Sequence, residues 1–184
     1  MFFRQWLRAP LKTASVVPSS PRLGRAMAMA IPPGAEKVVE LGAGTGAITR
    51  ALLRYRVRPE NLFIVELNAE LHGELTAAFP NSPVVCGDAR QLPALLAEHA
   101  TFDGRADAVV SSLGFLSMPP ALVDEIVDAI FASMGPAGTL IQFTYGPRCP
   151  ISRTTRQRLG LRSRRVGFTW LNLPPASVYV LERR

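Results

Sequence analysis

Residue types that build metal centres and disulfide frameworks are scarce in this 184-residue sequence. The two cysteines, Cys86 and Cys149, exclude a disulfide scaffold and a multi-cysteine zinc site, and they suit a reducing compartment. The two histidines leave little for a histidine-based centre, so we expect no metal. No apolar run reaches about 18 residues, so no membrane-spanning helix is predicted. Basic residues interrupt the apolar N-terminus, which argues against a signal peptide.

The length and an apolar content of 48% predict one domain with a full core. Its charge is distributed unevenly: the net charge is +8 over residues 1–58, −9 over 59–146 and +8 over 147–184. Arginine-rich codon usage would explain why lysine is rare, but not why positive charge avoids the middle. The split predicts an anionic partner, either a phospholipid surface or nucleic acid.

Residues 1–12 have the pattern of a short amphipathic helix, with apolar and basic side chains on opposite halves. Pro10 limits the helix to short or interrupted turns. Such a face either lies on a membrane or covers the core of the domain. The residues that define the pattern are Phe2, Phe3, Trp6, Leu7 and Leu11 on one side, and Arg4, Gln5, Arg8 and Lys12 on the other.

After a short predicted helix over residues 22–30 the pattern alternates between strands and helices, which predicts an α/β fold with a mostly parallel sheet. The short connection between the last two strands predicts an antiparallel pair. The predicted strands are residues 37–41, 62–66, 83–85, 106–111, 139–145, 164–171 and 178–181, and the predicted helices are 22–30, 46–56, 68–78, 90–99 and 120–133.

The strongest motif is the buried strand and glycine loop of residues 38–46, Val-Val-Glu-Leu-Gly-Ala-Gly-Thr-Gly. Glycines allow the backbone to approach a ligand where a Cβ atom would clash. Taken alone, Gly42, Gly44 and Ala47 also fit a dinucleotide-binding fingerprint. Glu40 favours a cationic ligand over a pyrophosphate, because it places a carboxyl group directly before the loop.

Two further acidic residues follow the next two strands. Glu66 ends the second strand, where a carboxylate can accept hydrogen bonds from both hydroxyls of a ribose. Asp88 follows the third strand, where it can accept a hydrogen bond from an adenine amino group. Ligands of open α/β sheets bind at the carboxyl ends of the strands, so the three acids are expected to share one site.

Together these motifs resemble the class I S-adenosylmethionine-dependent methyltransferases. The resemblance implies a Rossmann-like, seven-stranded, mostly parallel sheet with an antiparallel last strand, and S-adenosylmethionine as cofactor, with S-adenosylhomocysteine as product and no metal. The cofactor-binding residues that it implies are Glu40, Gly42, Ala43, Gly44, Thr45, Gly46, Glu66, Leu67, Gly87, Asp88, Ala89 and Ser111.

The loop after the fourth strand meets the methyl acceptor in this fold. Enzymes that methylate adenine or cytosine amines usually carry Asn/Asp-Pro/Leu-Pro-Tyr/Phe there, whereas residues 111–115 are Ser-Ser-Leu-Gly-Phe. The sequence therefore disfavours a nucleobase acceptor. The basic stretch after residue 147 also lacks the interleaved aromatic residues that stack bases.

A narrower resemblance covers nearly the whole chain. Residues 11–23, the loop 111–115 and the strand end 142–146, Gln-Phe-Thr-Tyr-Gly, are similar to the bacterial phospholipid N-methyltransferases. Gly114 departs from the proline expected there. The resemblance implies stepwise methylation of phosphatidylethanolamine and its mono- and dimethyl forms towards phosphatidylcholine. It also implies residues 1–30 as a membrane-binding or lid segment and 31–184 as the methyltransferase domain.

Tyr145 is our candidate for orienting the acceptor amine or relaying its proton; a buried strand tyrosine is the alternative. Aromatic faces and arginines suit a methylated headgroup and its phosphate. The residues predicted to contact substrate or membrane are Phe2, Phe3, Arg4, Trp6, Arg8, Lys12, Ser19, Phe115, Arg148 and Trp170.

We therefore predict a monomeric, cytoplasmic enzyme, peripheral on the inner face of the bacterial membrane, with an anionic phospholipid surface and phosphatidylethanolamine as partners. The alternatives are a methyltransferase that acts on RNA, in the manner of the rRNA adenine enzymes, or on a small-molecule amine, and a non-catalytic lipid-binding module. Nucleic acid is the less favoured partner.

Overall fold

The computed structural model describes residues 20–169 and 175–184. Seven strands lie in these ranges: β1 (Val38–Leu41), β2 (Leu62–Glu66), β3 (Val84–Cys86), β4 (Ala106–Ser111), β5 (Met134–Tyr145), β6 (Leu161–Thr169) and β7 (Ala176–Arg183). The α-helices in the same ranges are α1 (Pro21–Met29), α2 (Ala47–Tyr55), α3 (Ala69–Ala78), α4 (Leu92–Ala97), α5 (Pro120–Ala132) and α6 (Arg153–Arg158).

The strands form one sheet in the order β3-β2-β1-β4-β5-β7-β6. Strands β1 to β5 pair in parallel, and β7 runs antiparallel to both β5 and β6. Since β6 and β5 are both antiparallel to β7, they end at the same edge of the sheet. The predicted fold class, including the antiparallel last strand, is confirmed.

Each face of the sheet supports its own apolar core, because successive side chains of a strand point to opposite faces. Val39 and Val109 pack with α5 on one face. Ile64 and Val110 pack with α1 and α2 on the other. Strands β1 and β2 are buried along their whole length, as expected for central parallel strands covered on both faces.

Helix α1 belongs to the folded domain. The Ser20 hydroxyl caps its first turn by accepting a hydrogen bond from the Leu23 N–H at 3.2 Å, and Leu23 and Met27 are fully buried. Gly24 fits closely against α2, since a Cβ there would lie 2.8 Å from the Cβ of Ala51. The predicted boundary at residue 30 is therefore wrong, because the domain already includes α1. The predicted amphipathic helix of residues 1–12 lies outside the described residues.

Several element bounds differ from the sequence prediction. The predicted helix over 90–99 is a short 3-10 turn, Ala89–Gln91, followed by α4, whose proline lies in its first turn. Strand β5 begins earlier than expected, at Met134, and the basic stretch after it contains α6. No helix among the described residues is long and apolar enough to cross a membrane.

Candidate active site

The glycine loop between β1 and α2 has the backbone that its sequence requires. Gly42 and Gly44 have φ angles of +71° and +57°, in the region that side chains with a Cβ rarely adopt. A Cβ at Gly42 would lie 2.7 Å from the Leu113 side chain, so this glycine also allows a close approach to the loop after β4. At Gly44 a Cβ would meet nothing within 4 Å, and the loop is open above this residue.

Glu66 joins the glycine loop to the end of β2. Its Oε2 accepts a hydrogen bond from the Gly44 N–H at 2.9 Å, and its Oε1 accepts one from the Asn68 N–H at 2.9 Å. Asn68 in turn caps α3 by accepting from the N–H groups of Glu70 and Leu71. The carboxylate is 8% exposed, and each oxygen keeps a second lone pair for a hydroxyl of a ligand.

Asp88 is held by an arginine two residues further on. The Arg90 guanidinium contacts its Oδ2 at 2.6 Å and reaches Glu125 on α5 at 3.2 Å. Burial by itself would raise the pKa of Asp88, but the hydrogen bonds from Arg90 outweigh it and hold that pKa below its usual value. The carboxylate therefore stays ionised, fixed at the end of β3 as a hydrogen-bond acceptor.

Glu40 is fully buried on β1. Burial raises the pKa of this carboxyl group to about 7; nearby Thr49 acts in the opposite direction, and Glu66 adds repulsion. Among the described residues, neither Glu40 oxygen nor Thr49 Oγ1 has a hydrogen bond of ordinary geometry. Glu40 is thus a fully buried carboxyl group without an ordinary hydrogen bond, two residues before the glycine loop.

A cleft of about 200 Å³ opens where β1, β2, β3 and β4 end. Six of the predicted cofactor residues line it: Gly42, Glu66, Leu67, Gly87, Asp88 and Ala89. The other predicted residues lie behind this surface or beside it: Glu40, Ala43, Gly44, Thr45, Gly46 and Ser111. Ser111 is fully buried, and its hydroxyl faces the Leu113 N–H at 3.4 Å.

Cleft residues that the sequence prediction missed come from β2, from the loop after β4 and from α5. They are Val65, Ser112, Leu113, Gly114, Met118 and Ile126. Ser112 takes the position expected for Ser111, and its buried hydroxyl has no partner among the described residues. The position of residues 112–114 in the loop directly after β4 could have predicted that they line the cleft. The sequence gives no such signal for Ile126, which reaches the cleft only because of how α5 packs.

The predicted acceptor residues lie in different environments. Phe115 is 4% exposed and packs in the core, so its predicted role as an aromatic face for the headgroup is wrong. Tyr145 is 39% exposed at the end of β5, so the alternative of a buried strand tyrosine is wrong. The centre of its ring lies 5.4 Å from that of Phe143. Arg148 is exposed just beyond it. The remaining predicted contacts lie outside the described residues: Phe2, Phe3, Arg4, Trp6, Arg8, Lys12, Ser19 and Trp170.

These features fit a nucleoside cofactor. Because residue 44 is a glycine, the space that its side chain would fill is open to a ligand. The Ser112 hydroxyl has no partner among the described residues, and Glu66 and Asp88 offer carboxylate oxygens at adjacent strand ends. The residues that would hold S-adenosylmethionine are therefore Glu66 at the ribose and Asp88 at the adenine. These two roles stay predictions.

Among curated proteins, the chain is similar to an ornithine lipid N-methyltransferase of Singulisphaera acidiphila. The two are 35% identical over 187 aligned residues, which cover 97% of this chain and 93% of the relative. The chain belongs to the same methyltransferase family. No protein-family model matches the sequence.

Solved structures confirm the fold of this methyltransferase. The magnesium protoporphyrin IX methyltransferase of a Synechocystis strain has a TM-score of 0.66 at 15% identity, over 89% of this chain and 79% of that one. An amino pentose methyltransferase of Micromonospora echinaspora, solved with S-adenosylmethionine bound, has a TM-score of 0.63 at 15% identity, over 87% and 89%. At such identities the likeness shows the fold alone.

S-adenosylmethionine is the cofactor of this methyltransferase, in agreement with the sequence prediction. Within residues 20–169 and 175–184, no cluster of three or more histidine, cysteine or acidic side chains is suited to hold a metal ion. The polar side chains that line the cleft are those of Glu66, Asp88 and Ser112.

Proposed function

We propose that this protein transfers methyl groups from S-adenosylmethionine to the amine of a membrane aminolipid. The observation that carries the proposal is the similarity to a lipid N-methyltransferase along nearly the full length of both chains. Phosphatidylethanolamine is the acceptor that the sequence resemblance implies. Ornithine lipid, named for the relative, is the second candidate. Both headgroups present a primary amine beside an anion.

The loop after β4 supports an aliphatic amine rather than a nucleobase. It presents Ser112 and Leu113 to the cleft, while its aromatic residue, Phe115, is buried in the core. The loop therefore offers no ring on which a base would stack. An RNA substrate, the alternative raised by the basic charge, lacks this support.

The acceptor amine must lose its proton before it can attack a methyl group. An alkylammonium ion with a pKa near 10 costs about 4 kcal/mol to deprotonate at pH 7. Apolar surroundings such as Leu113, Met118 and Ile126 lower that cost by disfavouring the ion. Tyr145 is the candidate to accept a hydrogen bond from the amine and pass its proton to solvent.

The cofactor supplies an electrophilic methyl group on a sulfonium. The protein's part is to position the two reactants in line and to exclude water. Glu66 and Asp88 would hold the nucleoside from two strand ends. The close approach of Gly42 to Leu113 joins the glycine loop to the loop after β4, which would meet the acceptor. No covalent enzyme intermediate is required.

Methyl incorporation from labelled S-adenosylmethionine tests this proposal. The acceptors are vesicles of phosphatidylethanolamine with phosphatidylglycerol, the same vesicles with ornithine lipid in place of phosphatidylethanolamine, and RNA in a parallel reaction. Label in either lipid supports the proposal, and chromatography of the lipid extract then identifies the acceptor and the number of methyl groups. Label in RNA alone, or in neither lipid while cofactor binding is intact, would refute it.

A further inference from the structure

Three exposed apolar side chains lie at the edge of the sheet where the cleft opens. Leu116 is 63% exposed in the loop after β4, Tyr145 is 39% exposed at the end of β5, and Phe168 is 37% exposed near the end of β6. Tyr145 and Thr169 are both paired with Ala176 of β7, which places the ends of β5 and β6 level with each other on either side of β7. The row from β4 to β6 spans about 14 Å at the usual strand spacing.

Arginines accompany these apolar side chains. Arg148 is exposed three residues after β5 ends, and the Arg165 guanidinium lies 5.8 Å from the centre of the Phe168 ring. The sequence has no acidic residue from 145 to 181, and none from 111 to 123 in the loop after β4. We call Leu116, Tyr145, Arg148, Arg165 and Phe168 together the cleft rim.

Helix α1 begins at this same edge of the sheet. Helix α2 begins directly after the glycine loop, Gly24 of α1 packs on its first turns, and the Arg56 guanidinium beyond its end reaches the Ile31 carbonyl oxygen beyond the end of α1. Helix α1 therefore runs in the same direction as α2 and begins at the edge where the cleft opens. The aromatic and basic sequence of residues 1–19 leads into that point.

We propose that the cleft rim docks on an anionic phospholipid bilayer, so that the cleft opens towards the lipid headgroups. Exposed apolar side chains on segments that also carry exposed arginines suit the headgroup layer, where the side chains insert and the cations meet phosphates. The absence of carboxylates from these segments removes the repulsion that an acidic rim would suffer. This proposal rests on the proposed aminolipid acceptor and names the surface that reaches it.

Vesicle co-sedimentation of full-length variants tests the docking surface. Leu116→Ser combined with Phe168→Ser should lower the partition coefficient on vesicles of phosphatidylethanolamine and phosphatidylglycerol by about tenfold, since two large apolar contacts are removed. The matched control is Met29→Ser combined with Tyr55→Ser. Those two side chains are 57% and 40% exposed at the ends of α1 and α2, on the opposite edge. An arginine accompanies this pair too, since the Arg54 guanidinium lies 5.5 Å from the centre of the Tyr55 ring.

A second measurement keeps the test valid if the double variant folds poorly. Leu116→Cys, in a Cys86→Ser and Cys149→Ala background, carries an environment-sensitive fluorophore, and Met29→Cys in the same background is its control. Vesicles should shift the emission to the blue at position 116 and not at position 29. Cofactor affinity, measured by calorimetry, should be unchanged in each variant because none of these side chains lines the cleft.

The outcomes separate this proposal from the proposed function. Loss of vesicle binding in the rim variant alone, with the blue shift at position 116, supports the docking surface. Equal binding by the rim and control variants, or a loss in the control alone, overturns it even when the wild type methylates lipid. If the wild type methylates neither lipid but the rim variant alone loses binding, the docking surface stands and the proposed function fails.

Discussion

Replacing Glu40 with glutamine should remove a pH-dependent loss of stability that the burial of this carboxyl group causes. Burial raises the pKa of Glu40 from an ordinary 4.5 to about 7 in the folded protein. Below about pH 4.5 the group is protonated in both the folded and the unfolded chain, and it costs nothing. As the pH rises towards 7 the unfolded chain releases its proton first, so the folded state loses stability.

Above pH 7 the folded state has lost about 3 kcal/mol of stability, because the two pKa values differ by about 2.5 and one pKa unit corresponds to 1.36 kcal/mol. Between pH 5 and pH 8.5 the free energy of unfolding of the wild type should therefore fall by about 2 to 3 kcal/mol relative to Glu40→Gln. The amide has a similar shape and no charge at either pH. The pH dependence of the free energy of unfolding of Glu40→Gln then reports the other titratable groups of the protein.

Urea unfolding without cofactor, at both pH values, measures the difference. Glu74→Gln is the control, because Glu74 is an exposed carboxylate on α3. Its stability relative to the wild type should not change between pH 5 and pH 8.5. A Glu40→Gln difference that is also constant with pH would refute the argument, since it would mean that the buried carboxyl group is solvated or paired in solution.

Three further predictions concern the cleft. Glu66→Ala removes the acceptor for the Gly44 and Asn68 N–H groups and for the ribose, and should raise the cofactor Kd by more than tenfold in calorimetry; an unchanged Kd would contradict the cofactor assignment. Gly42→Ala forces a Cβ to 2.7 Å from Leu113 at a φ of +71°, and should lower the free energy of unfolding by about 1 to 3 kcal/mol in urea titrations; equal stability would mean that the loop relaxes. Tyr145→Phe should lower kcat and leave KM unchanged if the hydroxyl relays the amine proton; an unaltered kcat and pH profile would exclude that role.

The succession of strands and helices along the chain and the place of the site followed from local patterns. Parallel strands with buried apolar runs, glycines at the first turn and acids at successive strand ends require only short-range information, because each residue's role is set by its position in a βα unit. Glu66 and Asp88 accordingly lie at one cleft, as the sequence predicted. The helical pattern of residues 22–30 also predicted α1, but not that its apolar face closes the core.

Properties that depend on packing between distant segments were decided by the tertiary structure. Phe115 looked like a binding-site ring from its loop position, yet it fills the core against α5, and Ser112 rather than Ser111 reaches the cleft. The clamp of Arg90 on Asp88 and Glu125 joins residues 35 positions apart. A sequence fixes which strands form and what their ends carry, through backbone propensity and side-chain alternation. Which side chain faces a ligand and which faces the core is a competition for space, and only the assembled layers settle it.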